Sequence, residues 1–154
     1  MINVLVAEDN PVNRELLREL LEVWGYSVTE AADGQEALNM IEQNHPEILL
    51  LDIGMPVLDG FAVMRKIREN PSFAALTVMA VTAYAMQGDR ENILSAGFDG
   101  YLPKPINARD LAKEIERLLR KREDRNTSPN QPPERNASGT ESPLQEATAR
   151  RSLS

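Results

Sequence analysis

Apolar runs alternate with amphipathic stretches five times along the chain. The runs are INVLVA (2–7), YSVTEA (26–31), EILLLD (47–52), TVMAVT (77–82) and the shorter GYLP (100–103). Asn3 and the second run aside, they are mostly continuous rather than alternating, which is the pattern of parallel strands covered on both faces. YSVTEA carries the most polar positions and predicts an edge strand.

Helices are predicted between the runs. Asn10 is placed to cap the first, with Pro11 in the opening turn where no amide donor is needed. Leu16, Leu17, Leu20, Leu21 and Trp24 then form one face, and Gly25 ends the run. A second helix spans Asp33 to Gln43 with Ala37, Leu38 and Ile41 inward, and a third spans Asp59 to Glu69 through Phe61, Val63, Met64 and Ile67. The fourth runs from about Met86 to Ala96 and closes at Gly97. The fifth begins near Asn107, with Asp110 three residues on, and presents Leu111, Ile115, Leu118 and Leu119. Strand–helix units repeated five times imply an α/β fold, a doubly wound five-stranded parallel sheet with right-handed crossovers. The flavodoxin-like order 2-1-3-4-5 places the polar second strand at an edge.

The pattern stops after about Arg122. Residues 123–154 contain no aromatic side chain, few large aliphatics and several prolines. Such a segment cannot bury enough surface to offset its chain entropy. The reading is one folded domain over 1–122 followed by a disordered polar tail over 123–154. With 154 residues, 42% of them hydrophobic, the chain has enough material for one proper core. The formal net charge of -7 argues against a nucleic-acid partner. The absence of cysteine rules out disulfides and thiolate metal sites. No apolar run approaches the roughly 20 residues of a membrane span, and no leader-like segment opens the chain, so a cytoplasmic location away from membranes is expected.

The ends of the apolar runs carry the acids. Glu8 and Asp9 stand together at the end of the first apolar run, and Asp52 ends the third. In doubly wound sheets ligands bind beyond the carboxyl ends of the strands where the strand order reverses, which is between strands one and three. Three carboxylates therefore converge on one crevice. Two unit charges about 4 Å apart repel by roughly 4 kcal/mol at an effective dielectric near 20. A hard divalent cation removes that cost, and an open, oxygen-lined site that keeps several waters suits Mg2+. Thr82 ends the fourth run and Lys104 follows the fifth, so a hydroxyl and an ammonium reach the same crevice. A metal and an ammonium around a carboxylate can hold a phosphoryl group, with Asp52 as the nucleophile that forms an aspartyl phosphate.

The stretches AEDNPVNRELL, LLLDIGMPVLDG, MAVTAYAMQGD and GFDGYLPKPI, in that order, resemble the receiver domain of two-component response regulators, in particular stand-alone receivers of the DivK kind and receivers attached to hybrid kinases. The resemblance runs from about Ile2 to Lys121 and implies a CheY-like fold. It further implies that Glu8, Asp9, Asp52 and the carbonyl of Gly54 hold Mg2+, and that Asp52 accepts a phosphoryl group from a phosphohistidine of a sensor histidine kinase or histidine phosphotransfer protein. By the same resemblance Thr82 and Lys104 bind phosphoryl oxygens, Lys104-Pro105 is a cis peptide, and Gly54 and Tyr84 tune the loss of the phosphate to water. Tyr101 occupies the position of the family's switch aromatic, although ordinary packing accounts for it equally well. His45, the only histidine, falls in a polar loop and is read as a surface residue.

These residues lead first to a single-domain phosphoacceptor switch rather than a classical enzyme, with at most weak self-phosphorylation and self-dephosphorylation. Its output would pass to a downstream protein through the face of helix four, strand five and helix five, as a monomer or a phosphorylation-dependent dimer. Three other readings stay open. A Mg2+-dependent phosphatase would need a second acid two residues after its nucleophile, where this chain has Gly54. A flavin or dinucleotide carrier would need a phosphate cradle, where this chain has EDNPVN. The chain could also be a receiver cut from a hybrid kinase or larger regulator.

Overall fold

The computed structural model describes residues 1–83 and 87–126. Tyr84, Met86 and the expected tail beyond Asn126 lie outside the described residues. Ten elements follow in strict alternation: β1 (Asn3–Ala7), α1 (Pro11–Val23), β2 (Ser27–Ala31), α2 (Gly34–Asn44), β3 (Ile48–Asp52), α3 (Gly60–Glu69), β4 (Thr77–Thr82), α4 (Gln87–Ser95), β5 (Gly100–Pro103) and α5 (Ala108–Asn126). The chain divides into two units, Met1–Leu119 and Arg120–Ser154. Of the second, the described residues are the end of α5, which continues past position 122. Among the described residues no helix is long and apolar enough to cross a membrane.

The sheet is parallel throughout in the order β2-β1-β3-β4-β5. Burial explains the uninterrupted apolar runs. In β1, Val4 and Val6 pack on one side with Leu17 and Leu21 of α1 and Leu111, Ile115 and Leu118 of α5. Leu5 and Ala7 face the other side, with Ala37 and Ile41 of α2, Val63, Met64 and Ile67 of α3 and Ile93 of α4. A strand buried on both faces has no polar position to spare. β3 and β4 are buried at every residue, whereas β2, at the edge, is half-exposed over its first four.

The helix signals act as their chemistry requires. The amides of Val12 and Asn13 donate to Asn10 Oδ1 at 2.9 and 3.1 Å, and Gly25 closes α1 with φ +95°. At α2 the Glu36 amide donates to Asp33 Oδ1 (2.8 Å) while the Ala32 amide donates to Glu36 Oε1 (2.6 Å), so side chain and backbone cap one another. Asp59 caps α3 through the Ala62 amide, and Asn107 caps α5 through the Asp110 amide. One face is narrower than expected: Leu17 and Leu21 are buried, but Leu16 and Trp24 are 40% and 37% exposed. The buried stripe centres on Leu17 and Leu21; Leu16 stands a further 100° around the helix, and Trp24 lies past its last residue.

Candidate functional site

The carboxyl ends of β1, β3, β4 and β5 meet at one edge of the sheet; Glu8, Asp9, Asp52, Gly54, Thr82 and Lys104 stand at or just past these ends, whereas Tyr101 is the second residue of β5. Glu8 follows β1 and is 1% exposed; Asp52 closes β3 at 5%; Thr82 closes β4 at 0%. Asp9 and Gly54 are exposed, and Lys104 and Tyr101 are half-buried. Register fixes the spacing: Asp52 pairs with Val81, one residue before Thr82, and Thr82 pairs with Pro103, one residue before Lys104. The Lys104 amide donates to the Thr82 carbonyl at 2.8 Å, and the Lys104-Pro105 peptide is cis.

Glu8, Asp9 and Asp52 each offer a carboxylate oxygen within 4.8 Å of the others. The Lys104 ammonium donates to Asp52 Oδ2 at 3.2 Å and lies 3.1 Å from Glu8 Oε1. The second contact is an ion pair rather than a directed hydrogen bond, since Glu8 Oε1 is buried and accepts no hydrogen bond from the described residues. On the other side of Asp52, the Gly54 amide donates to Oδ1 at 3.0 Å.

The electrostatics follow from this crowding. Burial raises the Glu8 carboxyl from 4.5 to about 6; the Asn10 amide opposes the rise, the charge of Asp52 adds to it, and Lys104 resists it. For Lys104 burial alone would lower the ammonium, but the two carboxylates outweigh it and hold the group above its ordinary value. The pocket therefore holds one ammonium against three acids, one of which is reluctant to ionise. A buried, undirected carboxylate oxygen beside two further carboxylates is a donor set that fits a small hard divalent cation.

The loop carrying the acids is built tightly. The Glu8 amide donates to Ala31 O at 3.0 Å, and the Asn10 amide donates to Glu8 Oε2 at 3.0 Å. Arg14 Nη1, which the sequence reading overlooked, donates to the Glu8 carbonyl at 2.8 Å. A basic residue one turn into the helix after an acid-bearing strand end was the available signal. Tyr101 packs against the cluster of α2, α3 and α4, and the Arg90 guanidinium lies 5.7 Å from its ring centre. His45 is exposed and caps α2 with φ +49°.

Comparison with known proteins agrees with this fold. The family model described as response regulator receiver domain matches residues 4–116. The polar-differentiation response regulator DivK of Brucella ovis is 35% identical over 117 residues, spanning 76% of this chain and 95% of that protein. Among solved structures, the receiver domain of a sensor histidine kinase from Pseudomonas aeruginosa, with magnesium coordinated in its active-site cleft, superposes with TM-score 0.71 at 39% identity, covering 77% of this chain and 97% of that one. The chemotaxis response regulator CheY4 of Vibrio cholerae gives TM-score 0.73 at 28% identity, covering 77% and 99%.

Proposed function

The chain belongs to the response regulator receiver family, and on that premise we propose that it is a phosphorylation switch whose acceptor is Asp52. The observation that carries the proposal is the Lys104 ammonium, 3.2 Å from Asp52 Oδ2 and 3.1 Å from Glu8 Oε1 within a set of three converging carboxylates. The three acids suit a divalent cation, and with that cation in place the ammonium is left to meet the charge of an incoming phosphoryl group. The donor is a phosphohistidine of a sensor kinase or phosphotransfer protein. An oxygen of Asp52 bonds to phosphorus as the phosphorus–nitrogen bond breaks, and the imidazole leaves with the electron pair and takes a proton from water.

Glu8, Asp9, Asp52 and the carbonyl of Gly54 would hold magnesium, which when bound supplies positive charge to the acids and to the phosphoryl oxygens. The chain's own groups do the rest. The Gly54 amide orients Asp52 through Oδ1. Lys104, held charged by its two acidic neighbours, passes from the carboxylate to a phosphoryl oxygen as charge builds there. The Thr82 hydroxyl, buried at the end of β4, takes another. Its movement, followed by that of Tyr101, would bias the face formed by α4, β5 and α5 between two arrangements that a downstream protein distinguishes.

The test is incubation with a small-molecule phosphodonor and magnesium, read by intact mass. The wild type gains a single phosphate, and Asp52→Asn gains none. Full labelling of Asp52→Asn would overturn the assignment of the acceptor.

A further inference from the structure

The backbone of the acid loop has a feature that strand pairing does not supply. The last bond between β1 and β2 runs from the Glu8 amide to Ala31 O. Beyond Ala31 the edge strand turns away: Ala32 donates its amide to Glu36, and Asp33 caps α2. The next acceptor on the first strand, the Glu8 carbonyl, has thus lost the strand that would have satisfied it. Arg14 replaces that strand. Its Nη1 donates to Glu8 O at 2.8 Å while its Nε donates to Glu30 Oε1 at 3.1 Å. Glu30 is held in turn by Arg18, with Nε 2.7 Å from Oε2.

The planar guanidinium therefore spans two fixed points, the carbonyl at the end of the first strand and a carboxylate on the edge strand. A rigid planar group bridging two acceptors holds direction as well as distance. The Glu8 carbonyl shares its peptide plane with the Asp9 amide, so whatever fixes the carbonyl fixes the bond from which Asp9 departs. We propose that Arg14 is a positioning residue for the cation pocket: by holding the Glu8 carbonyl against Glu30, it sets the direction of the Asp9 carboxylate and thereby the affinity for the divalent cation. The inference rests on the functional reading above, because it presupposes that Asp9 is a ligand.

The sign of the effect separates positioning from plain electrostatics. A guanidinium close to the pocket repels a cation, so if its charge were all that mattered, removing it would tighten Mg2+ binding. Positioning predicts the opposite, and loss of groups that orient metal ligands weakens affinity by roughly tenfold or more. The experiment is calorimetric titration of wild type, Arg14→Ala and Arg14→Lys with Mg2+ alone. It is paired with the Mg2+ dependence of Asp52 phosphorylation by a small phosphodonor and with thermal unfolding of the metal-free proteins.

Arg14→Ala is expected to raise the Mg2+ dissociation constant about tenfold. The half-saturating Mg2+ for labelling should rise in step, and the rate at saturating Mg2+ should return to near the wild-type value. Arg14→Lys, which keeps one donor for the carbonyl but cannot fork to Glu30, should recover part of the loss. It also carries the test if the alanine variant does not fold. Unchanged or tighter Mg2+ binding by the variants, with or without a lower melting temperature, overturns the positioning role. A wild type that neither binds Mg2+ nor takes phosphate overturns the functional reading itself, and the role of Arg14 with it.

Discussion

Replacing Glu8 by glutamine keeps the shape of the side chain and removes its charge. In the folded protein the Glu8 carboxyl titrates at about 6 instead of 4.5, chiefly because it is buried. At roughly 1.4 kcal/mol per pH unit, ionising it costs the metal-free folded state about 2 kcal/mol more than it costs the unfolded chain. The direction follows from the folded value lying above the unfolded one. Below 4.5 the group is protonated in both states, and the folded protein keeps its full stability. As pH rises toward and through about 6, the unfolded chain gives up its proton first, and stability is lost. Glu8→Gln never ionises and escapes that loss. In urea titrations with a chelator present, the variant should gain on the wild type by about 2 kcal/mol between pH 4 and pH 7.5. Both proteins share every other titrating group, so the difference reports Glu8 together with its interactions with Asp52 and Lys104. Saturating Mg2+ should then stabilise the wild type, by about 2.7 kcal/mol at a hundred times the dissociation constant, and the variant less. A difference independent of pH, or a wild type that is the more stable at pH 7.5 without metal, would show that burying the Glu8 carboxylate carries no such cost.

Lys104→Met removes the ammonium that faces Glu8 and Asp52 and leaves both carboxylates uncompensated; the metal-free protein should lose on the order of 2 kcal/mol in urea unfolding at neutral pH, whereas unchanged stability would deny the ion pairs any weight. Gly60→Ala would set a methyl 2.6 Å from the Ile53 Cα and 3.1 Å from the Asp52 carbonyl. Because backbone has to yield, a net loss of about 2 kcal/mol is expected in spite of alanine's helix propensity, and a raised urea midpoint would contradict it. Val57, 82% exposed at φ +71°, is a β-branched residue in the left-handed region. Val57→Gly should raise stability by up to about 1 kcal/mol, the relieved strain being partly offset by a more flexible unfolded chain; a lower melting temperature would show that the valine is not strained.

Much of the fold was legible because burial on both faces of a parallel sheet leaves the same imprint on every central strand. ILLLD and TVMAVT carry no outward position, and the polar SVTEA reads as an edge for the same reason. Asn10 was equally readable as a cap, and Asp33, Asp59 and Asn107 as helix starts, since a capping side chain works within three residues of itself. The site was legible only once the strand order was assumed, because Asp52 and Lys104 reach Glu8 through topology rather than spacing. Long side chains escaped. The place of Arg14 one turn past the acids hints at a role without naming its acceptor, and nothing local says that Arg68 donates to Ala74, Leu76 and Gly97 carbonyls and to Asp99. Hydrophobic periodicity indicates which way a residue faces, and it is silent about where a flexible cation finds its acceptor. The strain at Val57 was hidden likewise, since a turn fixed by its two flanks can impose a conformation the residue itself disfavours.

If Asp52 is the group that the other strand ends serve, it alone carries the phosphate. The most direct measurement is to label the protein with a phosphodonor and Mg2+, reduce the acyl phosphate with borohydride, and sequence the peptides by mass spectrometry. Conversion of Asp52 alone to homoserine, dependent on Mg2+, is the predicted result. Conversion at Glu8, Asp9 or any other acid with Asp52 unchanged, or labelling indifferent to Mg2+, would contradict it.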